Sequence, residues 1–139
     1  KMVVSHTQQD SVFAMVDAIL ELKVGVAEQL LHHLLQRGAS SAYLLVMLSR
    51  QARMIVRVKE LRNQRISEVE IRNKLRLTAE FAWHKTIEQA ERYPLGRIKE
   101  VYHKLLEADL SIKTGKYDGE LALNILIAEL CWRGEPQRA

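Results

Sequence analysis

Cysteine is almost missing from this chain, and the lone Cys131 excludes both an intramolecular disulfide and a cysteine-built zinc site. A reducing cytosol suits that composition. Proline and glycine are scarce, two and six among 139 residues, and aromatic residues make up only 6%. Turn signals and β-strand vocabulary are therefore thin, while Leu, Ala, Glu, Lys, Arg and Gln dominate as they do in helical chains. The fold class expected is all-α. No apolar run approaches the roughly 20 residues of a membrane span, and the amino end lacks the basic-apolar-small layout of a signal peptide. There is no Gly-rich phosphate loop and no spacing that suggests a nucleophile with its base, so neither a catalytic residue nor a cofactor is expected. His32 and His33 are adjacent and point about 100° apart on a helix, so they cannot chelate one ion together; His84 and His103 stand alone. No metal site is expected. With 47% hydrophobic residues the chain reads as one helical domain over 1–139, with 1–9 a linker remnant and 134–139 a flexible tail. Lys1 before Met2 suggests a piece of a longer protein.

Hydrophobic spacing predicts seven helices with short connections. The first, capped by Asp10 or Ser11, carries Val12, Phe13, Val16, Ile19 and Leu20 on one side and ends near Leu22. Gly25 allows a break before a second helix over 26–36, with Leu30, Leu31, Leu34 and Leu35 as its stripe and Gly38 as a left-handed stop. Ser40 or Ser41 starts the longest helix, to about Asn63, apolar on all faces from Ala42 to Leu48 and basic thereafter. Ser67 and Glu70 form a capping box for a short helix through Leu75. Thr78 caps a fifth, to Tyr93; Pro94 opens a sixth, ending at Gly115; Asp118 caps a seventh, to about Trp132. A compact, bundle-like array follows.

Charge is uneven. Residues 50–76 hold nine Lys or Arg against three Glu, a local +6 within a total of +4. Arg50, Arg53 and Arg57, three and four apart, share one helix face, which phosphates or an acidic partner would match; an ordinary solvated face carries the same pattern. Residues 67–92 have the outline of a helix-turn-helix. A recognition helix needs cations, however, and the second helix sets Glu80, Glu88 and Glu91 against Lys85 and Arg92. Phe81 and Trp83 read as core rather than as a stacking platform. The alternative function on these residues is a helical nucleic-acid-binding module using the basic Arg50 to Arg76 region.

Residues 105–130 are the most informative stretch. A helix runs into a Lys113-Thr114-Gly115 stop, an Asp118-capped turn and a last helix that is apolar nearly all round. Such a helix needs cover on every side, as a central core element or a subunit interface, and Leu121, Leu123, Leu126, Ile127 and Leu130 are its candidate interface residues. Asp109 falls, with Ile98, Leu105 and Ile112, in the apolar arc of the sixth helix, where an unpaired carboxylate is costly. Lys113, one turn on, is the obvious partner, and backbone amides near Thr114-Gly115 are another.

Three segments carry a resemblance: Phe13-Ala14-Met15-Val16-Asp17-Ala18-Ile19-Leu20; Leu48-Ser49-Arg50-Gln51-Ala52-Arg53; and Glu107 through Gly115 followed by Leu121-Ala122-Leu123. On these, and over nearly its whole length, the chain resembles the carboxy-terminal domain of the bacterial DNA polymerase III delta subunit. The hallmark of that family, an acidic residue and Lys-Thr-Gly before a Leu-rich last helix, stands here at Asp109 and Lys113-Thr114-Gly115. The resemblance implies a cytoplasmic clamp-loader subunit, part of the machine that opens the sliding clamp so that the polymerase is tethered to primed DNA. It implies an AAA+-like amino-terminal portion that holds the clamp contacts, and a collar in which this piece packs with the gamma/tau and delta prime subunits. ATP hydrolysis and nucleotidyl transfer would not be its own, although the parent assembly is a DNA-directed DNA polymerase. DNA contact would be indirect or weak, and no membrane would be involved.

Overall fold

Local capping chemistry accounts for most of the helix boundaries. The structure, a computed structural model, describes the backbone of residues 6–134 and the side chains of residues 8–131. It contains α1 (His6–Leu20), α2 (Val24–Gln36), α3 (Ser41–Asn63), α4 (Glu68–Leu75), α5 (Glu80–Arg92), α6 (Leu95–Lys113) and α7 (Gly119–Gly134), with no strand among the described residues. The all-α expectation holds. Ser40 Oγ accepts from the Tyr43 amide at 3.0 Å, Ser67 Oγ from the Glu70 amide at 3.2 Å, and Asp118 Oδ1 from the Leu121 amide at 2.8 Å. Gly38 and Gly115 take φ of +94° and +77°, the left-handed conformation that ends a helix without a Cβ penalty.

Three boundaries differ from expectation. Residues 6–9, expected within the linker, form the first turn of α1; residues 1–5 of that expected linker and 135–139 of the expected tail lie outside the described residues. The break after α1 falls at Leu22, with φ +63°, and not at Gly25, which lies inside the first turn of α2. The Lys23 amide reaches back to the Ala18 carbonyl at 2.8 Å, a closure that requires a left-handed residue just before it. Finally, Ala79 and not Thr78 stands at the start of α5, without a side-chain cap.

Tertiary contacts divide the chain into two units, residues 1–48 with 104–139, and residues 49–103; α3 and α6 contribute to both. In the first unit α1, α2 and α7 pack together. Met15, Ile19, Leu20, Leu31, Leu34, Leu44, Leu45, Leu48 and Leu105 are buried there with Leu123, Leu126, Ile127 and Leu130. Phe13, expected on the buried side of α1, is 48% exposed. Gly119 opens α7 so close to Ser41 that a Cβ would strike the serine Cβ and Oγ. Gly119→Ala is therefore expected to lower the unfolding free energy by about 1–3 kcal/mol. Ser41→Gly in the same chain should recover most of the loss, and urea melts of both single variants and the double test this; additive losses would remove the clash as the cause.

The second unit buries Ile55, Val58, Ile71, Trp83, Ala90, Tyr93, Ile98 and Val101. Its core also holds polar groups. The Gln51 side-chain Nε2 donates to Thr86 Oγ1 at 3.2 Å and to Gln89 Oε1 at 2.9 Å, with Thr86 and Gln89 both fully buried. Lys59 Nζ donates to the Ala90 carbonyl at 2.9 Å. These bonds fix the rotation of α5 against α3, because sliding either helix would strand a buried polar atom.

Candidate functional site

On α6 one arc, Ile98, Val101, Leu105 and Ala108, is buried. Leu106 and Leu110, a turn apart on another side of the helix, remain 47% and 62% exposed. On α7 the buried arc is Ala122, Leu123, Leu126, Ile127, Leu130 and Cys131, while Leu121 is 46% exposed and Ile125 half-buried. This corrects the expected interface. Leu123, Leu126, Ile127 and Leu130 are at most 3% exposed and fill the core of their own unit, Leu126 reaching only the floor of a groove between α6 and α7; of the five, Leu121 alone is substantially exposed. The near-uniform apolarity of α7 arises because its inner arc meets α1 and α2 while its outer arc carries Leu121, Ile125 and the small Ala128.

Between α6 and α7 lies a groove of about 380 Å³ with Leu110, Ile125, Ala108, Ala122 and Leu126 as its apolar lining and Lys104, Glu107, Ser111, Lys116, Tyr117 and Glu129 as its polar lining. Lys104 Nζ stands 3.7 Å from Glu107 and 3.8 Å from Glu129. Below it runs the Lys-Thr-Gly turn. Thr114 Oγ1 donates to the Leu110 carbonyl at 2.8 Å, Gly115 takes its positive φ, and the Tyr117 amide closes on the Ser111 carbonyl at 3.3 Å. Asp118 then caps α7. Thr114, Gly115 and Tyr117 thus each satisfy a terminal carbonyl of α6, and this part of the hallmark is a helix stop.

Asp109 does pair with Lys113, at 2.8 Å. Its setting differs from expectation: the carboxylate side chain is 37% exposed and the lysine 71%, so the pair sits on the flank of the apolar arc, in water. An exposed pair of this kind contributes little after screening and side-chain ordering. Asp109→Ala is expected to shift the unfolding free energy by less than about 1 kcal/mol; a loss of several times that in a urea melt would mean the carboxylate is structurally essential.

Arg50, Arg53 and Arg57 are all exposed on the outer side of α3, and none makes an ion pair or hydrogen bond among the described residues. Arg72, by contrast, is engaged in structure. It donates to the Leu77 and Thr78 carbonyls at 3.0 and 2.9 Å, pairs with Glu80 at 2.7 Å and lies 5.4 Å from the Trp83 ring centroid. Trp83 is core as expected, but Phe81 is 77% exposed. The outward face of α5 presents Glu80 and Glu88, paired with Arg72 and Lys85, and Glu91 against an exposed Arg92, so it lacks the surplus of cations that a DNA groove calls for. His32 and His33 are exposed, and among the described residues no group of three His, Cys, Asp or Glu could hold a metal ion. No described helix is long and apolar enough to cross a membrane.

Among the described residues, seven helices with a Lys-Thr-Gly stop before a Leu-rich last helix define the class, an all-α helical domain. A family model described as the DNA polymerase III delta subunit, C-terminal domain, matches residues 9–130, and the chain belongs to that family. The DNA polymerase III subunit delta of Bacillus subtilis (strain 168) is 24% identical over 135 residues, which cover 97% of this chain and 39% of that protein. Among solved structures, the Bacillus subtilis DNA clamp loader delta protein superposes with a TM-score of 0.76 at 22% identity, over 88% of this chain and 36% of that one. The chain thus spans about two fifths of the curated relative it matches.

The sequence pattern missed Leu106 and Leu110 as surface residues. A helical wheel carries the signal, since at about 100° per residue they lie roughly 120–160° from the centre of the buried arc of α6.

Proposed function

We propose that this chain is the collar domain of a clamp-loader delta subunit, and that it packs with the corresponding helical domains of the gamma/tau and delta prime subunits in the bacterial cytoplasm. The observation that carries the reading is the match of residues 9–130 to the C-terminal domain of the DNA polymerase III delta subunit. Exposed leucines support it: Leu110 lines the α6–α7 groove, and Leu106 on α6 and Leu121 on α7 are about half exposed, apolar surface that a neighbouring helix would cover. In this reading contact with the sliding clamp belongs to the part of the subunit that lies outside the chain. The domain contributes assembly, and the polymerase chemistry of the holoenzyme resides in other subunits.

The test is capture of purified gamma/tau and delta prime subunits on the immobilised chain, with Leu110→Asp/Leu121→Asp as the variant. Both side chains are about half exposed or more, so the variant should keep its helical circular dichroism while capture falls at least ten-fold. Undiminished capture by the folded variant would move the interface elsewhere; no capture by the parent chain would defeat the collar reading.

A further inference from the structure

The charge asymmetry follows the division into units. Residues 49–103 carry thirteen Lys and Arg against seven Glu, a net +6, while the remainder nets −2. Within that basic unit, five of the seven carboxylates are already paired: Glu68 and Glu80 with Arg72, Glu88 with Lys85, Glu100 with Arg97 and Glu60 with Lys99. Arg50, Arg53 and Arg57 take no share in this pairing. Three guanidinium groups therefore stand unneutralised in a row that extends about 10 Å along the outer face of α3.

We propose that this face, Arg50-Arg53-Arg57, is a sequence-independent contact for the phosphodiester backbone of nucleic acid. Arginine suits the task because its planar fork binds two phosphate oxygens at once and keeps its charge at every physiological pH. A protein partner fits less well. A protein interface is anchored by buried aromatic or aliphatic side chains, and between residues 49 and 63 no large apolar side chain is exposed. Apart from Val46, about half exposed one turn before Arg50, the surface offers charge without an apolar anchor, which is the chemistry of backbone contact and not of base reading. Such a contact requires nothing of the collar and would stand without it.

The experiment is fluorescence anisotropy of the 139-residue chain with a labelled mixed-sequence duplex and, separately, a single strand, across 50–200 mM salt. Arg50→Gln/Arg53→Gln/Arg57→Gln is compared with Arg37→Gln/Lys113→Gln/Lys116→Gln, which removes the same charge from the other unit. Three phosphate contacts steepen the duplex salt slope by about 2.7, which is about forty-fold in affinity over this salt range. The stripe variant should lose that steepness and the control should keep it, with helical circular dichroism intact in both. Lysine at the three positions should preserve most of the slope, since each keeps its charge. Equal slopes for the parent and the stripe variant, or an equal loss in the control, would overturn the proposal, as would tight stripe-dependent binding to a poly-glutamate peptide with none to either nucleic acid.

Discussion

Leu126→Ala is expected to lower the unfolding free energy by about 2–5 kcal/mol, a large fraction of the stability of a small domain. Leu126 is 2% exposed, on the inner arc of α7 beside Leu123 and Ile127, in the unit where α7 packs on α1 and α2. Removing its branched end forfeits the transfer energy of the lost carbons and leaves a cavity that the neighbouring helices fill only in part. Leu126→Asp should go further. A carboxylate buried among Leu123, Ile127 and Leu130 would lose its hydration to an apolar arc, at a cost that consumes most of the domain's stability, so the cooperative melt should vanish. Urea denaturation followed by far-UV circular dichroism measures both. A Leu126→Asp chain that melts like its parent would place Leu126 at the surface and restore it to the candidate interface. Leu121→Ala, at a position 46% exposed, supplies the contrast and should stay within about 0.5 kcal/mol of the parent.

Arg72→Ala should cost about 2–3 kcal/mol, although arginine is ordinarily a surface residue. Its guanidinium closes the turn between α4 and α5 by donating to two successive carbonyls, Leu77 and Thr78, and it lies over the Trp83 ring. The Glu80 pair adds little, since that carboxylate is 71% exposed and screened. Arg72→Lys should recover less than half of the loss, because a single ammonium cannot reproduce the fork that spans both carbonyls. Thermal melts followed by tryptophan fluorescence and by circular dichroism separate local from global effects. Full rescue by lysine would reduce the role of Arg72 to charge alone.

Arg72 also marks where sequence reading stops. In the chain alone it counts as one of nine cations in a basic stretch, indistinguishable from Arg50 or Arg57. The fold divides them: Arg72 is spent on backbone carbonyls and carboxylates, while the α3 stripe stays unpaired among the described residues. Asp109 repeats the lesson. Its partner Lys113 is legible because a spacing of four is a local fact, but the exposure of the pair is not, since it depends on which arc of α6 the neighbouring helices cover.

Helix number, the stops at Gly38 and Gly115, a helix start at Ser40 or Ser41, the caps at Ser67 and Asp118, and the family hallmark at Asp109 and Lys113-Thr114-Gly115 were all written in the residues themselves. Each acts within about six positions of its own site, so no distant contact can alter it. The tertiary structure alone decided that Leu123, Leu126, Ile127 and Leu130 are core while Leu106, Leu110, Leu121 and Phe81 are surface. An apolar side chain looks the same in sequence on either side of a helix. Only the placement of the other helices determines which side loses its water, and with it which leucines hold the fold and which remain for a partner.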